Sequence, residues 1–165
     1  MAYDSAGNAV TNDAVPGEWL FSESDYRYTR ESGTVQNDAT KAGTTADLAL
    51  TKGELVGQPI LKAGSQWEFA TATEVTNADP IGDGGTEEWG FVISGEDEAA
   101  MAADDVSAVP WALLVRGPAI INQGQIPALD VYGGSIVVAD YVTLCKKLGI
   151  AVINDPATTT LQVNQ

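Results

Sequence analysis

The 165 residues contain no histidine, and Cys145 is the single cysteine. Ser-His-Asp and Cys-His nucleophilic centres are therefore impossible, and the usual zinc ligand sets cannot be assembled. What remains is carboxylate chemistry. Glu87 and Glu88, beside Trp89, have the residue types of a glycosidase acid pair. Asp79, Asp83, Glu87 and Glu88 surround the Gly82-Asp83-Gly84-Gly85 turn and could hold calcium, but their spacing is not that of an EF-hand loop. Both groups read more simply as solvated loop charges. The sequence thus predicts no catalytic residue, no cofactor and no metal site. Trp67, Trp89 and Trp111 could stack on sugar rings in a non-catalytic carbohydrate-binding module. Their alternating strand contexts make core or subunit-interface positions the default.

Binding chemistry is concentrated near the N-terminus. In EWLFSESDYRYTRE, from Glu18 to Glu31, Trp19 pairs with Phe21 and Tyr26 with Tyr28 at strand spacing. The surrounding residues 1–46 are polar and rich in Gly, Ser, Thr, Asn and Asp, so this stretch is predicted to be an extended arm and linker. An aromatic cluster on such an arm points to a partner. Trp19, Leu20, Phe21, Tyr26 and Tyr28 are the expected contact residues, with Arg27 and Arg30 as partners for carboxylates. Ordering ten arm residues costs on the order of 10 to 20 kcal/mol. Strand pairing returns about 0.5 to 1.5 kcal/mol per hydrogen bond, so side-chain burial at about 1.5 to 3 kcal/mol each must make up the difference.

The remainder must position that arm. Residues 47–153 are predicted to form one β-rich domain and 154–165 a polar tail. Strands are expected in ELVGQPILKA, QWEFATATEV, EWGFVISG, VPWALLVRG, AIINQ and Ile150 to Ile153, with little helix. One short C-terminal helix is expected in SIVVADYVTLCKKLG. Val137, Tyr141, Leu144, Cys145 and Leu148 lie on one face, Ser135 serves as cap and Gly149 as terminator. In LLVRGPAIIN, Gly117 permits a bend and Pro118 cannot join a central ladder.

Charge narrows the partners. With 23 acidic and 8 basic residues the net charge is −15, which provides no basic footprint for nucleic acid. No Lys or Arg lies between Ala63 and Val115, where Glu96, Asp97 and Glu98 belong to a long acidic run. That run reads as a solvated outer face. No segment has the roughly 18 apolar residues of a membrane span, and MAYDSAGNAVTNDAV lacks the basic and apolar regions of a signal peptide. A lone cysteine is compatible with synthesis in a reducing cytoplasm.

Four blocks, in order, resemble the lambda-like bacteriophage head decoration proteins: WLFSESDYRYTRE, ADLALTKGELVGQPI, LLVRGPAIIN and KKLGIAVI. They cover about half the chain. Two stretches depart from the family pattern, the long link from Ser32 to Thr45 and the tail after Ile153. The resemblance implies a compact β-rich cement protein on the outer surface of the virion. It further implies a homotrimer seated on threefold and local threefold axes, with the major capsid protein as partner of the arm.

Overall fold

A computed structural model describes residues 19–23, 26–36, 38, 41, 55–94 and 111–154. The expected mainly β architecture is present. The elements are β1 (Leu20–Glu23), α1 (Tyr26–Thr29), β2 (Arg30–Gly33), β3 (Val35–Gln36), β4 (Pro59–Ala63), β5 (Gln66–Phe69), α2 (Ala72–Thr76), β6 (Trp89–Ser94), β7 (Trp111–Leu114), β8 (Ala119–Asn122), α3 (Val138–Lys147) and β9 (Ile150–Ile153). No helix among the described residues is long and apolar enough to cross a membrane.

Six strands are bonded in the order β2-β7-β6-β4-β5-β3. Its two edge strands, β2 and β3, are separated in sequence only by Thr34, so the sheet closes into a small barrel. Gln66 fastens the closure by donating to the Thr34 carbonyl and hydroxyl oxygens at 2.7 and 3.0 Å. The barrel interior holds Val35, Leu55, Ile60, Trp67, Phe69, Val92, Trp111, Leu113 and Val115. Phe69 and Trp111 meet at 5.6 Å between ring centroids. Gly33 is required here, because a Cβ would lie 2.8 Å from Trp67 Cδ1 and 3.0 Å from Leu113 Cδ1.

A second sheet, β1-β8-β9, packs on the outside of the barrel together with α3. Strand alternation explains the two cores. Val92 and Leu113 point into the barrel, whereas Phe91, Ile93 and Leu114 point toward the second sheet. The larger core also gathers Trp19, Trp89, Ile121, Tyr141, Leu144 and Ile150. Phe91 sits at its centre, 5.8 Å from Trp19 and 4.8 Å from Tyr141 between ring centroids. The Tyr141 hydroxyl donates to the Gly57 carbonyl at 2.6 Å, and burial pushes its pKa well above the ordinary value, so it remains a donor.

Arg116-Gly117-Pro118 carries β7 of the barrel into β8 of the second sheet, as its composition predicts. The Gly117 amide donates to the Leu148 carbonyl at 2.8 Å, and a Cβ on Gly117 would collide with the Gly149 carbonyl. The expected strand over 150–153 forms and runs parallel to β8. Gly149, at φ 74°, ends α3 as anticipated. Its start differs from expectation. Val137 is the cap residue and is 54% exposed, while Ser135 bridges Leu129 instead of capping. A second difference is α2, which replaces the latter half of the strand expected in QWEFATATEV. Thr71 and Glu74 form a capping box, with the Glu74 amide donating to Thr71 Oγ1 and Glu74 accepting from the Thr71 amide.

The largest correction concerns the arm. Within residues 1–46, β1 pairs antiparallel with β8, β2 with β7, and β3 parallel with β5. Those residues belong to the domain because their apolar side chains complete both cores. Residues 1–18, most of 37–54 and 155–165 lie outside the described residues, and with them the expected 46/47 boundary and all of the tail beyond Asn154.

Candidate interaction surface

The segment from Trp19 to Glu31 divides its aromatic side chains between core and solvent. Trp19 is fully buried and Leu20 is buried opposite Ile121. Neither is available to a partner, contrary to the sequence expectation. The register then slips, from Leu20 opposite Ile121 to Ser22 opposite Ile120, which makes Phe21 the extra residue of a β-bulge. The bulge turns Phe21 outward, and it is 52% exposed.

Glu23 ties β1 to the end of α1 and the start of β2. Its carboxylate accepts from Thr29 Oγ1 at 2.7 Å, from Arg30 Nε at 3.0 Å and from Arg30 Nη2. Burial alone would raise the Glu23 pKa, but the hydrogen bonds from Arg30 and Thr29 and the charge of Arg30 outweigh it and hold the group below its ordinary value. Arg30, expected to meet a partner's carboxylate, is therefore engaged within the chain. Tyr28 is 55% exposed and Arg27 is exposed. The Tyr26 side chain lies outside the described residues.

Distant residues complete this face. The Arg116 guanidinium lies 5.3 Å from the Tyr28 ring centroid and bonds Glu31 at 2.8 Å. Tyr28 and Arg116 line an open groove of about 860 Å³, with Lys146 and Lys147 from the end of α3 and Asp83 and Glu88 from the acidic turn. The backbone contact between Gly117 and Leu148 joins the end of α3 to the Arg116 corner, and the Lys147 ammonium donates to the Ala78 carbonyl at 3.1 Å. No local pattern in the sequence links positions 28, 116 and 146.

The other candidate chemistries are not assembled. Glu87 accepts from the Asp79 amide at 2.9 Å and from Trp89 Nε1 at 2.8 Å, while Glu88 pairs with Lys62 at 2.8 Å. Each carboxylate of the notional pair thus serves a different structural partner. Among the described residues no group of three or more Asp, Glu or Cys converges as a metal site. Trp67, Trp89 and Trp111 are 5%, 2% and 2% exposed, so none offers a ring face to a sugar.

The chain matches no family model, no curated protein and no solved structure. Two exposed aromatics and a cation–aromatic stack, held on paired backbone and flanked by charges of both signs, suit contact with another protein.

Proposed function

We propose that this protein is a non-catalytic head decoration protein of a lambda-like bacteriophage. It binds the major capsid protein on the outer face of the expanded, DNA-filled shell and clamps neighbouring subunits there. The carrying observation is the outward presentation of Phe21 and Tyr28 by a segment whose backbone is bonded into both sheets. The four blocks that resemble the family also fall on the frame of the fold. Their described residues supply β1, α1 and the start of β2, residues 55–60 at the entry to β4, the β7-to-β8 corner, and the junction of α3 with β9. In this reading three copies sit together at threefold and local threefold positions. Docking is carried by the Phe21, Arg27 and Tyr28 face, and the strongly acidic remainder points away from the shell. Nucleic acid and membrane are not partners in this scheme. The carbohydrate alternative is set aside because its tryptophans are buried.

The test uses purified expanded heads that lack decoration. Unaltered protein should bind them and raise their resistance to heat and DNA loss. Phe21→Ala combined with Tyr28→Ala should weaken binding at least about tenfold, with an unchanged circular dichroism spectrum. Undiminished binding by the double variant would remove this face from the contact, and failure of the unaltered protein to bind any such shell would remove the function.

A further inference from the structure

The second sheet has two open edges, β1 and β9. They are built differently. β1 carries the bulge at Phe21 and ends in the charged Glu23, two features that keep stray strands from adding to an edge. β9 has neither. Ile150-Ala151-Val152-Ile153 contains no charge and no proline, and its register on β8 runs unbroken from Ile150 to Ile153. Among the described residues its backbone bonds only β8, so the groups on its other side are unpartnered. The face beside this edge is apolar as well. Ile120 stands between Ser22 of β1 and Ala151 of β9, and Ile153 follows Ala151 on the same side. Ile120 and Ile153 are half-buried yet belong to neither core, and Ala151 is exposed. With the outward Phe21 they form a strip across the sheet, from the bulge to the open edge. Glu23, next to Ser22 on β1, is committed to Arg30 and Thr29.

We infer that β9 receives a strand: an extended, uncharged segment of the shell protein pairs with its open edge while the same subunit covers the strip and Phe21. Unpaired backbone groups call for a partner's backbone, which fixes the kind of occupant. The width of the strip sets its size. Strands lie about 4.8 Å apart, so a strand added at β9 is three spacings, roughly 14 Å, from β1 and leaves Phe21 bare. A protein surface that contributes both an edge strand and a facing wall covers the whole strip, which a short peptide does not. The inference rests on the decoration reading for the identity of the partner, and it adds β9 to the docking surface.

Amide exchange of the unaltered chain is compared free and bound to purified expanded heads, a readout that needs no variant to fold. Binding should slow the outward amides over 150–154 at least about tenfold, because they become hydrogen-bonded. Ala151→Lys combined with Ile153→Lys guards the edge and charges the strip. It should weaken head binding at least about tenfold, with an unchanged circular dichroism spectrum. Head binding with unchanged exchange over 150–154, or undiminished binding by the folded double variant, would overturn the strand pairing and leave the decoration reading standing. Failure of the unaltered chain to bind any head would overturn both. Outward amides that are already slow in the free chain at every concentration would give the edge to residues 155–165 of the same chain. Amides that slow as the free chain is concentrated would give it to a second copy. Either result overturns the assignment to the shell protein.

Discussion

Replacing Trp19 by alanine separates the two roles of the N-terminal segment. The ring is fully buried, packs 5.8 Å from Phe91 between centroids, and lies so close to Gly57 that a Cβ there would be 2.5 Å from Trp19 Nε1. Truncating a buried Trp typically costs about 3 to 5 kcal/mol, the lost transfer energy plus an unfilled cavity. Against a total stability of about 5 to 15 kcal/mol this is a large share. At about 2 to 4 °C per kcal/mol for a domain of this size, the melting temperature should fall by roughly 6 to 20 °C. Phe21→Ala should change stability by less than about 1 kcal/mol, because its side chain is already half in water. Urea unfolding followed by circular dichroism compares the two variants directly. Loss of less than about 1 kcal/mol for Trp19→Ala, or a larger loss for Phe21→Ala, would refute the assignment of Trp19 to the core and restore it as a candidate contact residue.

Gly57→Ala should destabilise the fold by more than about 1 kcal/mol in the same assay, since φ is 81° there and the new methyl meets the Trp19 ring. Asp130→Ala strips the acceptor from three amides, at about 1 to 3 kcal/mol for each that stays buried and unpaired, and should speed amide exchange around Gly134. Glu23 has a folded pKa below its ordinary 4.5, so its contribution is fully present above that value and lost as pH falls through the lowered one. Glu23→Gln should consequently flatten the fall in urea midpoint below about pH 4.5 while leaving the slope near neutrality unchanged. Equal acid sensitivity in the two proteins would show that the pairing with Arg30 and Thr29 contributes nothing.

Local patterns announced most of the frame. Alternating apolar residues marked β4, β6, β7 and β8, and the Lys146-Lys147-Leu148-Gly149 ending marked where α3 stops. The helix at Ala72–Thr76 was also written in the sequence, as Thr71 followed three residues later by Glu74, but β-branched neighbours disguised it. The fate of the aromatic segment was not written locally. Period-two spacing fits a free arm and a paired strand equally well, and the choice is made by Phe91 and Ile121, about 70 to 100 residues away in the chain. Barrel closure through Thr34 and the placing of Arg116 over Tyr28 are likewise long-range outcomes. A single-residue register slip decided which way Phe21 points, and no propensity encodes such a slip.

That slip changes the energetics of the proposed clamp. For a free arm, ordering ten residues on the shell would cost on the order of 10 to 20 kcal/mol before any contact was rewarded. Here the backbone of Leu20–Glu23, Arg30–Gly33 and Val35–Gln36 is fixed in folding, by pairing with β8, β7 and β5, and that cost does not recur on binding. Fewer side chains can therefore suffice. Phe21 and Tyr28, each with about half of its surface left to bury, replace the five apolar anchors a disordered arm would need. The same economy makes fold and docking interdependent, because Leu20 and Phe21 are neighbours on one short strand. Damage to the Trp19 core should release the bulge and blunt docking even though Trp19 touches no partner. Shell affinity across a set of core variants of graded stability should therefore fall as β1 becomes exchange-labile. Affinity that stayed constant while β1 opened would place the contact elsewhere on the surface.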